Sequence, residues 1–206
     1  MAQVIHDPST LNDLGSPPLV VQLRPVLDLT DDQLYEFAQI NRELRIERTA
    51  RGELVIMPPA GGETGRSNIK IAFQLEHWSS KDGSGVAFDS STGFRLPNKA
   101  MRSPDACWVR KSRWESLSPE DRRKFAPVCP DFVIELRSET DSLRVLREKM
   151  QEYADNGVRL GWLIDPVKQR VEIYRPGQAP TIVEAPTQLA ADPELPGFTL
   201  DLTTIW

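Results

Sequence analysis

The chain has 206 residues, 39% of them apolar and 27% charged, with 25 basic side chains against 30 acidic ones and a net charge of -5. That is enough for one well-buried core and too little for two. It excludes a bulk polycation that holds nucleic acid by charge alone, though not a local basic groove. Cys107 and Cys129 lack CxxC spacing and the chain has only two histidines, which argues against a zinc cluster and for a reducing cytoplasm. The opening MAQVIHDPST has no positive segment leading into an apolar core, so no secretory signal is expected. No apolar run nears the roughly 18 residues of a membrane span.

Residues 1–25 are rich in proline and polar side chains and read as an extended N-terminal arm, leaving residues 26–206 as a single domain. Thr30 opens a helix: with Gln33 it makes a capping box, Asp31 and Asp32 suit the positive end, and Leu34, Phe37 and Ile40 share a face. LRIERT and ELVIMPP form a hairpin around Arg51-Gly52, with Arg45 and Glu47 on the face opposite Leu44 and Ile46. A helix over about 64–79 follows a glycine-rich turn that lacks both the Walker and the GxGxxG spacing. Its Ile69, Ala72 and Phe73 form one apolar arc and Ile71, Leu75 and Trp78 another, so the fold is expected to cover it on both sides.

GSGVAFDSSTGFRLP reads as two short strands broken at Gly93, and SPDACWV as the next strand. Helical turns are expected near Ser118 to Lys124, with Pro119 in the first turn. A strand over 131–136, a helix over about 141–155 ended by Asn156-Gly157, and strands over 160–165 and 171–174 come next. RPGQAP and APTQLA read as loop, and LPGFTLDLTTIW as a last strand and turn. This mixed order predicts an α/β (mixed α+β) domain, a twisted mixed sheet with helices packed on it.

The candidate chemistry lies in the carboxylates. Glu135 is an acid inside the apolar run FVIEL, which is costly unless it is paired or ligated. Asp105 begins a strand directly after Pro104. On adjacent strands the two could share one divalent cation, and hard oxygen ligands favour Mg²⁺ or Mn²⁺. Asp131 also follows a proline, but at strand rise it lies roughly 13 Å from Glu135 and ranks lower. The plainer readings are a strand-capping Asp105 and a Glu135 salt-bridged to Arg137 or Arg45.

On the helical wheel Leu143, Leu146, Met150 and Tyr153 make a buried stripe, Lys149 sits at one edge and Arg147 at the other. Lys149 can lay its stem along the core and bring its ammonium over the sheet edge, to orient water or offset phosphorane charge. Its plain alternative is a surface pair with Glu152. Helix propensity alone lets Lys149→Met fold normally. Glu47 reads equally as a further ligand or a solvated strand residue, and Glu76 as a satisfied buried acid. His6 and His77 have no neighbours in a catalytic spacing, and Trp108, Trp162, Tyr153 and Tyr174 read as core.

RIE…GELVIMPP, SPDACWV, PDFVIEL, EKMQEYADNGVRLGWLIDP and VEIYRPG together resemble the Uma2 family, from Thr30 to Trp206. The resemblance implies a restriction endonuclease-like, PD-(D/E)xK nuclease core. It implies Pro104-Asp105 as the PD, Glu135 as the second acid, Lys149 with Tyr153 four residues on as the helix lysine and tyrosine, and Glu47 as the early glutamate. One departure stands out: acid-x-lysine would place lysine at 137, where this chain has Arg137, a poor proton acceptor. The resulting expectation is a Mg²⁺- or Mn²⁺-dependent DNA endonuclease in the cytoplasm, with Asp105 and Glu135 as metal ligands, Lys149 and Glu47 in the catalytic cluster and Arg137 on phosphate. Arg102 and Lys99 would complete a basic rim, and a homodimer would suit a double-strand cutter. The alternatives are a silent nucleic-acid-binding protein keeping the same fold, and a hydrolase with a closed pocket for a small phosphorylated metabolite.

Overall fold

The computed structural model describes residues 18–206. Most of the expected arm lies outside the described residues, and its end is no arm. Leu19–Val21 is strand β1, paired antiparallel with β3 (Leu54–Met57). Thr30 caps helix α1 (Asp31–Ile40): its hydroxyl accepts from the Gln33 backbone N–H while the Gln33 side chain accepts from the Thr30 N–H. The hairpin forms as expected between β2 (Arg45–Arg48) and β3, and Gly52 supplies the left-handed turn position with φ 86°. Helix α2 (Gly62–Asp82) is longer than the apolar pattern alone suggests, and ends at Gly83 in the left-handed region.

Strands β4 (Gly85–Asp89), β5 (Phe94–Arg95), β6 (Met101–Arg102) and β7 (Ala106–Arg110) follow, then a short helix α3 (Lys111–Glu115). The helical turns expected near 118–124 reduce to a 3₁₀ turn at Asp121–Arg123. Strand β8 (Phe132–Leu136), helix α4 (Leu143–Asp155), β9 (Leu160–Asp165) and β10 (Arg170–Tyr174) complete the centre. Two segments expected as loop or left unassigned are strands, β11 (Thr181–Glu184) and β12 (Gln188–Ala190). The latter pairs with β13 (Thr199–Asp201).

Six strands make the main sheet in the order β11-β10-β9-β8-β7-β4, antiparallel except for the β8/β9 pair. That parallel pair is joined through α4, as parallel neighbours require a crossover. A smaller sheet runs β1-β3-β2-β6-β5. β4 and β5 are consecutive yet belong to different sheets. The chain turns between them at Gly93, where a Cβ would lie 2.5 Å from the Phe125 ring.

Side-chain alternation sorts the core into two faces of the main sheet. Ala106, Trp108, Phe132, Ile134 and Trp162 point toward α2 and the C-terminal segment, packing with Ile71, Leu75 and Phe198. Cys107, Val109, Val133 and Leu163 point the other way, onto Met150 and Tyr153 of α4 and onto Phe94 of the small sheet. Glu135 is two residues from Val133 and Asp105 two from Cys107, so both acids start out on the α4 face. Helix α2 buries only its Ile71–Leu75 arc; Ile69 and Phe73 are 66% and 65% exposed, because one sheet face can cover only one side of a helix.

Candidate active site

Strand β8 lies between β9 and β7 in the middle of the sheet, and every one of its residues is buried. The β7/β8 register pairs Ala106 with Ile134, so the next step outward sets Asp105 beside Glu135. Asp105 is fixed there from two sides. Its Oδ2 accepts from the Leu136 backbone N–H at 2.9 Å, and its Oδ1 lies 3.3 Å from the Arg45 guanidinium. Burial would weaken the charge on Arg45, but Asp105, Glu135 and Glu47 hold it protonated.

Helix α4 crosses this edge and delivers two groups to Glu135. The Lys149 ammonium stands 2.8 Å from Glu135 Oε1 and the Tyr153 hydroxyl donates to the same oxygen at 3.0 Å. From the small sheet, Glu47 Oε1 accepts from Lys149 at 2.9 Å and from the Ser103 N–H at 3.0 Å. Arg102 bridges outward, to Glu47 Oε2 at 3.0 Å and to Glu152 Oε2 at 2.5 Å. Lys149 is thus clamped between two carboxylates from two sheets, with its stem along the core as the wheel implied. The alternative pairing of Lys149 with Glu152 does not form; Glu152 pairs with Arg102 instead.

The electrostatics follow from burial and count. Burial pushes the Glu135 carboxyl up, Lys149 pulls it down, and Asp105 and Glu47 push it up again; the result is about 7. Burial would also raise Glu47, but Lys149 and Arg102 overrule it and hold its carboxyl at about 2. Lys149 would lose its proton more readily through burial, yet Glu135 and Glu47 more than compensate and keep it charged. Tyr153 is pushed well above the usual phenol range, first by burial and then by the two glutamates, so it stays a donor.

Several expectations change here. Glu47 is no solvated strand residue, being 2% exposed. Arg137 is nearly buried and gives its guanidinium to Asp165 at 3.1 Å, the acid beside it in the parallel register, so its charge is already paired within the chain. Asp131 is structural: it accepts from the Arg110 N–H at 2.8 Å and pairs with Arg113 at 3.0 Å. Glu76 is exposed and bonded to Ser80. Tyr153 is core, as read, but also a partner of Glu135. Arg102 is a half-buried bridge inside the cluster, while Lys99 is exposed.

Basic side chains gather in a cleft of about 630 Å³ beside the small sheet, where Arg24, Arg48, Arg95, Lys99 and Arg113 face two acids. A second cleft, about 500 Å³, opens where β8 and β9 end and includes Arg66, Ser67 and Arg137. No helix among the described residues is long and apolar enough to cross a membrane.

A family model described as Uma2, putative restriction endonuclease, matches residues 31–203. The chain belongs to the Uma2 family. The same fold occurs in the crystal structure of a putative nuclease belonging to DUF820 from Anabaena variabilis. Its TM-score is 0.69 at 18% identity, covering 86% of this chain and 97% of that one. The architecture of this Uma2 chain is therefore restriction endonuclease-like, and the protein is nuclease-like in family. A different likeness is confined to 45 residues of the NADH dehydrogenase (ubiquinone) 1 alpha subcomplex subunit 4-like 2 proteins, 47% identical in Mus musculus and 44% in Homo sapiens. It involves 20% of this chain, which spans about half (52%) of those proteins.

The donor set suits a hard cation in one specific way. Among the described residues no three His, Cys, Asp or Glu side chains are grouped to cage a metal. Mg²⁺, however, is commonly held by one or two carboxylates with waters and substrate phosphate completing the shell. Asp105 and Glu135, side by side on neighbouring strands, supply two such carboxylates, each already paired with a cation of the chain.

Proposed function

We propose that this cluster is the active site of a metal-dependent DNA endonuclease, with Asp105 and Glu135 holding Mg²⁺ or Mn²⁺. The observation that carries the reading is the placement of Lys149, 2.8 Å from Glu135 on the strand edge next to Asp105. Bound there, the cation would neutralise the scissile phosphate and activate water for attack. Lys149, held protonated, donates rather than accepts: it orients the attacking water and offsets charge developing on the phosphorane. Glu47 positions Lys149, Tyr153 fixes the rotamer of Glu135, and Arg45 with the Leu136 N–H fixes Asp105. The basic cleft supplies charge for the DNA backbone, and its contacts carry no sequence information by themselves. Both cysteines are unpaired and buried, in keeping with a cytoplasmic protein.

A second reading has its own support. Both acids already have cationic partners within the chain, so the cluster is self-satisfied as it stands, which favours a nucleic-acid-binding protein that keeps the nuclease fold without the chemistry. The two separate on plasmid and single-stranded DNA incubated with Mg²⁺ or Mn²⁺, together with calorimetric titration of Mn²⁺. Under the nuclease reading the wild type cleaves, and Asp105→Asn and Glu135→Gln each lose on the order of 10²–10³ in rate together with Mn²⁺ binding. Equal Mn²⁺ binding by all three proteins, or DNA binding without cleavage by any, supports the silent reading.

A further inference from the structure

The side of α2 facing away from the sheet exposes two large apolar side chains among polar ones, and no function is assigned to it. Ile69 and Phe73 are 66% and 65% exposed, and His77 stacks on the Phe73 ring at 5.6 Å between centroids. With Gly62, Arg66, Glu76 and Ser80 they fall within an arc about 100° wide, opposite the buried Ile71–Leu75 arc. A helix normally buries one stripe; large apolar side chains on the opposite side imply a second partner.

We infer that this face is a homodimer interface, in which α2 packs antiparallel on α2 of a second copy about a two-fold axis between Ile69 and Phe73. The partner is identified by self-complementarity. With the axis placed there, Ile69 meets the second copy's Phe73, and Arg66 meets its Glu76. Each of these contacts occurs twice, as an isologous interface requires. Among the described residues Arg66 makes a 3.5 Å contact to the highly exposed Glu63, a pair easily exchanged.

Gly65 carries the argument independently. It lies inside α2, where glycine costs roughly 0.5–1 kcal/mol relative to alanine. Nothing among the described residues explains it: its φ is not in the left-handed region, and a Cβ there would meet none of their atoms within 4 Å. The same two-fold sets Gly65 opposite His77 of the second copy, where a missing side chain leaves room for the stacked His77 and Phe73 rings. Small residues at a helix–helix contact let the backbones approach. A single helix pair covers less than the ~800 Å² per partner of a standard interface, so a weak dimer with a micromolar Kd is expected.

Sedimentation velocity on the full chain from about 5 to 200 µM brackets that affinity. The wild type should shift from monomer to dimer across the range. Phe73→Glu should remain monomeric, and Arg66→Glu and Glu76→Arg should each weaken association at least about tenfold, a loss of ~1.4 kcal/mol. The double variant Arg66→Glu/Glu76→Arg should regain the dimer, because the charge pair is merely exchanged. All three positions are exposed, so folding is not at stake, and circular dichroism checks it. A wild type that is monomeric throughout overturns the inference and leaves the face to an unlike partner. A dimer indifferent to Phe73→Glu, or a charge exchange that fails to rescue, overturns it equally.

Discussion

Replacing Lys149 with methionine is the sharpest probe of the cluster, and the structure changes what it should do. Lysine and methionine have nearly equal helix propensity, which by itself allows normal folding. Yet the Lys149 side chain is 11% exposed and sits between two buried carboxylates, at 2.9 Å from Glu47 and 2.8 Å from Glu135. The two glutamates respond differently to its loss. Glu47, held at about 2 against an ordinary 4.5, draws about 3 kcal/mol of stability from Lys149, Arg102 and Ser103 together, and loses the largest attractive share. Glu135, already raised to about 7, can take up a proton instead. Its stabilising protonation is complete below pH 4.5 and lost as pH rises through the folded-state value. Without Lys149 that value climbs further, so each pH unit above 7 costs the variant an extra ~1.4 kcal/mol that the wild type does not bear. The expectation is a loss of about 2–4 kcal/mol near pH 6.5, widening by ~1.4 kcal/mol per unit toward pH 8.5. Urea unfolding at both pH values measures it, and adding Glu135→Gln should remove the widening while leaving the Glu47 part. A variant as stable as wild type, or a gap that does not change with pH, would refute the clamp.

Glu47→Gln tests the other half. A depressed carboxyl contributes stability above about pH 4.5 and loses it as pH falls toward 2, so the variant should be less stable at pH 7 by about 3 kcal/mol and show a flatter acid limb. Superimposable acid limbs in denaturant titrations from pH 3 to 6 would count against it. Arg137→Met should act on stability rather than on DNA affinity, costing about 3 kcal/mol by leaving Asp165 buried with Arg170 at 4.0 Å as its remaining ion-pair partner. Unchanged unfolding with weakened DNA binding would instead restore the phosphate-contact role.

The sequence made the central strand and its acids easy to find, because an acid in a run such as FVIEL has few structural explanations. The β7/β8 adjacency followed only from asking Asp105 and Glu135 to share one cation, since nothing in either strand's own pattern names its neighbour. What could not be seen was the second sheet. Its strands β5 and β6 are two residues each, too short for any period, and their assignment depends on the break at Gly93, set by the Phe125 ring. Without that sheet, Glu47 looks equally like a ligand or a solvated residue, and Arg102 like a rim cation. The second apolar arc of α2 misled for a related reason. Periodicity reports that a face is apolar, and not whether the covering surface belongs to the same chain.

The placement of the cluster's lysine on helix α4 rather than on β8 has a physical logic in the neighbouring pairs. Position 137 continues β8 one step past Leu136, and the parallel register brings Asp165 of β9 beside it. An arginine at 137 is therefore drawn into a buried pair with Asp165, itself part of a network through Arg170 and Glu172 to Arg147 on α4. Helix α4 consequently serves two acid clusters from the two edges of one apolar stripe, Arg147 reaching Glu172 at 2.6 Å and Lys149 reaching Glu135. The arginine edge needs a planar fork to hold a carboxylate through two nitrogens, whereas the lysine edge needs a compact charge between two carboxylates. Exchanging the two residue types would lose both geometries while conserving every charge. Shape as well as sign places a lysine, and not an arginine, beside Glu135.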